Sequence, residues 1–231
     1  YSGEIRLADV ESFQLSMPIP DSHVGENRVR AICWSPDGKY LIRSVERPGV
    51  DVWDVETQKA VKSLTYLEGQ GLGNQSLCIS PDGQTVYAAG TSHLRAWSLD
   101  DSDFRDVAPY QRYGCIDLSP DGKHIVGGHD DGSIVWLDVA TGKTSLSHRG
   151  LGSQDRYSGG NVRLSRTGEW LAWCHKSFGG HDSVRVANVA GRGGPAFGLG
   201  SGHPTWSPDG SRIAIGQNSV VIWGGATRDR E

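Results

Sequence analysis

Five returns of one tight-turn motif, spaced about forty residues apart, with β-patterned runs on both sides of each copy, predict an all-β chain: a β-propeller of four-stranded antiparallel blades. The motif stands as Trp34-Ser35-Pro36-Asp37-Gly38, Ile79-Ser80-Pro81-Asp82-Gly83, Leu118-Ser119-Pro120-Asp121-Gly122 and Trp206-Ser207-Pro208-Asp209-Gly210, with a worn copy at Leu164-Ser165-Arg166-Thr167-Gly168. Taking the serines as markers, the steps are 80−35 = 45, 119−80 = 39, 165−119 = 46 and 207−165 = 42 residues. Glycine fills 32 of the 231 positions, about twice its ordinary share of ~7%. With no run of helical period to house it, that excess belongs to turns.

Within each unit the turn comes first. Proline presets φ at the second turn position, aspartate bonds nearby backbone, and glycine accepts positive φ without steric cost. The strand before the turn alternates with period two. The first and third positions before each serine are Trp34 and Ile32, Ile79 and Leu77, Leu118 and Ile116, Leu164 and Val162, and Trp206 and Pro204. Four of these five pairs are wholly apolar, so one face of the strand is buried. A second strand follows the turn at Tyr40-Leu41-Ile42, Val86-Tyr87-Ala88, His124-Ile125-Val126, Trp170-Leu171-Ala172 and Arg212-Ile213-Ala214. A third follows in every unit, ending near a Trp or Asp: Val50-Asp51-Val52-Trp53-Asp54, Leu94-Arg95-Ala96-Trp97, Ile134-Val135-Trp136-Leu137-Asp138, Val184-Arg185-Val186-Ala187-Asn188 and Val220-Val221-Ile222-Trp223.

A turn, a short strand, then Trp-Asp followed by Val-Glu-Thr or Val-Ala-Thr-Gly resembles the WD40 repeat family. Trp53-Asp54-Val55-Glu56-Thr57 is the best copy, and Asp130-Asp131-Gly132 before Ile134 resembles that family's turn between second and third strands. One unit alone keeps Trp-Asp intact, and the family's Gly-His pair is only echoed by His23, His148 and Gly202-His203. The buried His-Asp-Trp network that the resemblance implies is therefore not expected in every blade. The final Trp-Ser-Pro-Asp-Gly-Ser-Arg-Ile-Ala is also similar to the TolB-type propellers, a second choice of family.

Taken along the chain, residues 1–20 supply the third and fourth strands of an incomplete leading blade, Glu4 to Val10 and Phe13 to Met17. Blades follow over 28–67, 74–108, 112–148 and 160–199, a fifth runs from His203 to Trp223 without its last strand, and 224–231 form a polar tail. The expectation is about five blades, a segment of a longer ring; the resembled family usually has around seven.

Composition excludes several classes. A net charge of −4 and a pI near 6.1 provide no global basic field for nucleic acid. No apolar stretch reaches the length needed to span a bilayer, and no signal peptide is visible, so no membrane partner is expected. The four cysteines show no pairing logic: Cys33 and Cys78 occupy one register in two different blades. Reduced thiols and a cytoplasmic address follow.

Catalysis finds little footing, since the chain has no nucleophile elbow, zinc-binding helix motif, Cys-x-x-Cys or phosphate loop. Gly69-Gln70-Gly71-Leu72-Gly73 lies between strands and lacks the helix N-terminus that holds phosphate. His175, His181 and Asp182 beside Cys174 bracket a loop without four convergent ligands. Asp100-Asp101-Ser102-Asp103 lacks the glycine and distal glutamate of a calcium loop. No cofactor, metal or catalytic residue is assigned. Asp117 and Arg163 replace the cysteines at one register in consecutive blades, which predicts an inter-blade ion pair.

The functional signal lies on one rim. In the resembled fold the fourth-to-first and second-to-third strand loops emerge on a single face. Here they carry Arg28, Arg47, Tyr110, Arg112, Tyr113, Arg156, Tyr157, Lys176 and Phe178. Arg and Tyr combine large contact area with directed hydrogen bonds and dominate interface hot spots. The expected function is a non-catalytic platform for a protein or peptide partner, part of a larger protein. The rivals are a TolB-like envelope or peptidase-associated propeller and, more weakly, an enzyme with its site in the channel.

Overall fold

The structure, a computed structural model, describes residues 5–9, 11–12, 14–16, 19, 29–45, 49–65, 76–90, 93–101, 103–109, 113–129, 133–148, 162–175, 183–189, 203–216 and 220–224. Among these, every regular element is a strand, grouped into five antiparallel sheets. The first blade is β1 (Val29–Trp34), β2 (Tyr40–Val45), β3 (Gly49–Asp54) and β4 (Lys59–Thr65). The second is β5 (Ser76–Ile79), β6 (Thr85–Ala89), β7 (His93–Ser98) and β8 (Phe104–Pro109). The third is β9 (Tyr113–Leu118), β10 (His124–His129), β11 (Ile134–Asp138) and β12 (Thr144–His148). Three strands describe the fourth, β13 (Val162–Leu164), β14 (Trp170–His175) and β15 (Ser183–Asn188). Three more describe the fifth, β16 (His203–Trp206), β17 (Arg212–Gly216) and β18 (Val220–Gly224).

Each sheet is a simple meander in chain order, and the first strand of each blade lies against the first strand of the next: β1 on β5, β5 on β9, β9 on β13, β13 on β16. This is a β-propeller array. The period-two alternation gives every blade two apolar faces. One, here called trailing, meets the following blade; the other, leading, meets the preceding one. Ile42, Val50, Val52 and Leu64 of the first blade pack on Leu77, Val86, Ala88 and Trp97 of the second. The same exchange joins Tyr87, Leu94 and Ala96 to Ile116, Ile125 and Leu137, and then Val126 and Ile134 to Val162, Leu171 and Trp173. Fully buried side chains such as Ile125, Leu137 and Leu171 each contribute about 1.5–3 kcal/mol of burial energy, so the junctions are the core.

Near the start of the chain two antiparallel bridges, Ile5↔Ile19 and Ala8↔Leu15, join described residues. Ile5, Leu7 and Ile19 cover Leu41 and Trp53 on the leading side of the first blade.

Two details revise the repeat as read from sequence. Trp53 and Trp97 stand opposite Leu41 and Val86, but in the third blade Leu137 takes that place opposite Ile125. Trp136 is thus one residue out of step and packs on the opposite face, toward the fourth blade. A one-residue slip reverses the face of a strand side chain. The Asp of the Trp-Asp pair serves a turn: Asp54 Oδ1 accepts the Thr57 N–H at 2.8 Å and hydroxyl at 2.9 Å, and Asp138 does the same for Thr141 at 2.7 Å each. The Trp53 indole N–H is buried with no hydrogen-bond partner among the described residues, so the network implied by the family resemblance is not made there.

Candidate functional site

The meander divides each blade into two ends. The Ser-Pro-Asp-Gly turns and the β3–β4 type turns share one end, joined by bonds such as Val55 N–H to the Lys39 carbonyl at 3.0 Å. In the motif the serine hydroxyl donates to the aspartate: Ser35 to Asp37 at 2.6 Å, Ser119 to Asp121 at 2.6 Å, Ser207 to Asp209 at 2.5 Å, and Ser80 to Asp82. The same hydroxyl accepts the amide five residues on, as Tyr40 N–H to Ser35 Oγ at 2.8 Å. The aspartate accepts the amide two residues on, as Lys39 N–H to Asp37 at 3.0 Å. The turn glycines hold φ between 71° and 74°, where a side chain would be strained.

These hydrogen bonds hold the carboxyls of Asp37, Asp82 and Asp121 below the ordinary value of 3.8, led in each case by the serine hydroxyl. Asp209, which accepts the Ser207 hydroxyl together with the Ser211 amide and hydroxyl, falls to about 2. In the worn copy Thr167 takes the aspartate's place, with Ser165 Oγ and Thr167 Oγ1 3.0 Å apart and Glu169 N–H at 3.4 Å. The geometry survives there without the charge.

At the opposite end the second strand of each blade gives way to the third, and one blade to the next. Of the nine residues predicted to line it, Arg28, Arg47, Tyr110, Arg112, Arg156, Tyr157, Lys176 and Phe178 lie outside the described residues. Tyr113 is described, and it corrects the expectation for that position. It opens β9, is 1% exposed and packs against His129 with ring centres 4.8 Å apart and planes tilted by 52°. Its ring lies over Gly127, where a Cβ would fall 2.3 Å from Tyr113 Cδ1. Burial pushes its hydroxyl up to about 12. Tyr113 is a core residue, not a rim contact. Its signal in the sequence was Gly127-Gly128 within β10, a gap that an aromatic ring fills.

The predicted ion pair between Asp117 and Arg163 is also corrected. Asp117 joins the third blade to the fourth through backbone: Oδ2 accepts the Leu164 N–H at 2.8 Å and Oδ1 the Leu118 N–H at 3.0 Å. Arg163 donates to the Val162 carbonyl at 3.2 Å and acts on Asp117 only as a nearby positive charge. An amide has a fixed position on the strand, whereas a guanidinium must order a long side chain. Burial pushes the Asp117 carboxyl up, partly offset by Arg163 and by the two amides.

The neighbouring junctions have their own polar links. Ser76 Oγ exchanges bonds with the Ile116 carbonyl at 3.1 Å and amide at 3.0 Å, and the Trp206 indole donates to the Arg163 carbonyl at 3.1 Å. Cys33 and Cys78 occupy the corresponding register between the first two blades. Burial pushes the Cys33 thiol up to about 12 and the Cys78 thiol well above its ordinary value, which disfavours the thiolate at both. None of the four cysteines is in a disulfide.

Sequence reading missed a buried ion pair on the first blade. Arg43 Nη2 stands 3.0 Å from Asp51 Oδ2, both side chains 3% exposed, and Ser63 donates to the other carboxylate oxygen at 2.8 Å. The signal was two opposite charges on adjacent strands in facing register. Among the described residues no group of three His, Cys, Asp or Glu could hold a metal ion. Asp101 accepts the Asp103 N–H at 3.1 Å within an exposed turn. Among the described residues no helix is long and apolar enough to cross a membrane.

Meander blades in consecutive contact, pinned at one end by Ser/Asp turns, define a propeller-type repeat protein. Within that class two stretches of the chain match the WD40 repeat. The family model described as WD domain, G-beta repeat matches residues 18–46 and 113–137. The chain is 31% identical over 134 residues to meiotic recombination protein rec14 of Schizosaccharomyces pombe, covering 52% of this chain and 41% of that protein. It is 26% identical over 152 residues to protein groucho of Drosophila melanogaster, covering 64% of this chain and 20% of that one. Against transcription initiation factor TFIID subunit 5 of Caenorhabditis elegans it is 30% identical over 118 residues, 49% of this chain and 17% of the relative. The matched part of each relative is thus less than half its length. Between the two resemblances drawn from sequence, these matches fall to WD40.

Proposed function

We propose that the chain is a non-catalytic platform that binds a protein or peptide through the loop end of its blades, within a larger protein and in the cytoplasm. The observation that carries this reading is the division of labour between the two ends. Four charged turns and one neutral copy lock the turn end, and the sequence pattern assigns Arg28, Arg47, Tyr110, Arg112, Arg156, Tyr157, Lys176 and Phe178 to connections of the other end, the proposed binding face. A contact surface mounted on a rigid array of blades loses little freedom on binding. One relative is by name a subunit of an assembly, which supports a role in holding proteins together. Four cysteines with none in a disulfide support the cytoplasmic address.

The test is affinity capture from cells with two variants of equal thermal stability, quantified against the parent chain. Arg112→Ala/Arg156→Ala/Lys176→Ala removes charge from the loop end, and Lys39→Ala/Lys123→Ala removes charge from the turn end. Loss of co-purifying protein from the first alone is the expected result. Equal recovery from both refutes the loop end as the binding face.

A further inference from the structure

Where the first two blades meet at the turn end, their junction opens into a groove of about 420 Å³. The first blade contributes Pro36 and Asp37 of its turn and Val61 of β4; the second contributes Pro81 and Asp82 of its turn and Asp100 beyond β7. Val52 also lines the groove and is buried, whereas Val61 is 50% exposed, so an apolar base continues into an open apolar wall. The two turns stand further apart here than at the next junction. A Cβ on Gly83 would fall 3.7 Å from Pro36 Cδ, against 3.1 Å between Gly122 and Pro81.

Charge distinguishes this groove from the equivalent places at the next two junctions. Asp37, Asp82 and Asp100 line it, and Lys62 is the one cation among its lining residues. Lys62 is engaged: its ammonium donates to the Leu99 carbonyl, as Arg105 does to Val139 at the second junction. There Lys123 holds the register of Gln84, and Ala140 that of Asp100, so the chain brings its own ammonium where the first junction has a neutral amide. At the third, Arg166 and Thr167 stand for the proline and aspartate of the turn. Asp37 and Asp82 spend Oδ1 on the serine hydroxyl and on the amide two residues on, and each has a second oxygen for a ligand. Those turn bonds lower both carboxyls below 3.8 and keep them ionised. The chain's own cations already gather at this edge: besides Lys62, the Lys39 ammonium lies 5.0 Å from the ring centre of Tyr40, a lining residue.

We propose that this groove binds an arginine side chain presented by an extended segment of a partner protein. Its guanidinium pairs with the carboxylates of Asp82 and Asp100, and its methylene stem lies along Val61 and Val52. Arginine suits both parts, because its planar fork matches carboxylate oxygens while its stem covers apolar surface. The surplus of carboxylates selects a basic segment over an acidic one. The groove lies at the turn end, opposite the loop end of the function proposed above, and neither site depends on the other.

Titration of the isotope-labelled chain with acetyl-Leu-Arg-Leu-amide and with its neutral citrulline counterpart, followed through backbone amide NMR shifts, tests it. The arginine peptide is expected to move the Gly83, Gln84, Leu99 and Asp100 amides, and the citrulline peptide to leave them in place. Gln84→Lys, which copies the second junction, and Asp100→Asn are each expected to weaken binding about fivefold or more, since each removes one favourable charge. Both positions are exposed, so each variant should keep the parent's melting temperature; the two-peptide comparison on the parent stands without them. The Arg112→Ala/Arg156→Ala/Lys176→Ala variant is expected to bind the arginine peptide as the parent does, which separates this site from the loop end. Equal shifts from both peptides overturn the proposal, as does an arginine peptide that moves none of these amides. So do variants that bind like the parent, or equal shifts at Lys123 and Val139 of the second junction, which mark a diffuse attraction to the turn end.

Discussion

Asp82 and Asp117 show one side-chain type in two settings. Asp82 sits in the exposed turn between β5 and β6, accepts the Ser80 hydroxyl and the Gln84 amide, and has its pKa lowered. Asp117 lies on β9 at the junction of two blades, accepts the Leu164 and Leu118 amides, and has its pKa raised. Both carboxylates receive two hydrogen bonds, so bonding alone does not separate them; desolvation does. The turn aspartate keeps water on its remaining lone pairs and gains from its bonds. The junction aspartate gives up water to hold two blades in register. Local structure here is held by charge in solvent, and tertiary structure by a charge taken out of it.

The largest effect is expected from removing the junction carboxylate. Asp117→Ala leaves the Leu164 and Leu118 amides without their acceptor, at about 1–3 kcal/mol for each amide that water does not reach. In a chain of this size each kcal/mol lowers the melting temperature by roughly 2–4 °C. Asp117→Asn keeps an oxygen facing Leu164 and is expected to cost less. Thermal melts of the two variants beside Asp82→Ala check this, and an Asp82→Ala loss exceeding that of Asp117→Ala reverses the comparison.

A smaller effect concerns acid. For the turn aspartates the folded pKa lies below the unfolded 3.8. Their contribution is present above 3.8 and is lost as pH falls through the folded values, down to about 2 for Asp209. Asp117 has the opposite sign: with a folded pKa above 3.8, its contribution is complete below that value and is lost as pH rises through the folded pKa. In the parent, protonation of Asp117 therefore offsets part of the acid loss at the turns. Asp117→Asn removes the offset, so denaturant titrations from neutrality down past 3.8 should show a steeper fall in stability than in the parent. An equal slope shows that Asp117 titrates normally.

Much of the fold was legible because turn chemistry is local. Serine, proline, aspartate and glycine at fixed offsets specify their own hydrogen bonds, and period-two runs specify which strand faces are apolar. What remained hidden depended on register and on backbone partners. Trp136 seemed equivalent to Trp53 and Trp97 by residue type, but one position of slip sends it to the other face. Tyr113 has the residue type of a contact surface, and only its position over Gly127 makes it core. Asp117 announced a partner by its charge, but that partner is the Leu164 amide, and a backbone amide leaves no mark in a sequence. The proposed binding face was legible only as residue types on shared loops, since contacts there depend on connections rather than on the repeat.

The central structural claim is that successive turn modules stand side by side, so that a carboxylate on one blade receives an amide from the next. The pH titration of the Leu164 amide resonance by NMR tests it directly, because that amide lies 47 residues from Asp117 in sequence and 2.8 Å from its carboxylate in space. A Leu164 shift that follows a titration above 3.8 and disappears in Asp117→Asn is the predicted result. A Leu164 amide that is indifferent to pH, or that titrates equally with and without the Asp117 carboxylate, contradicts it.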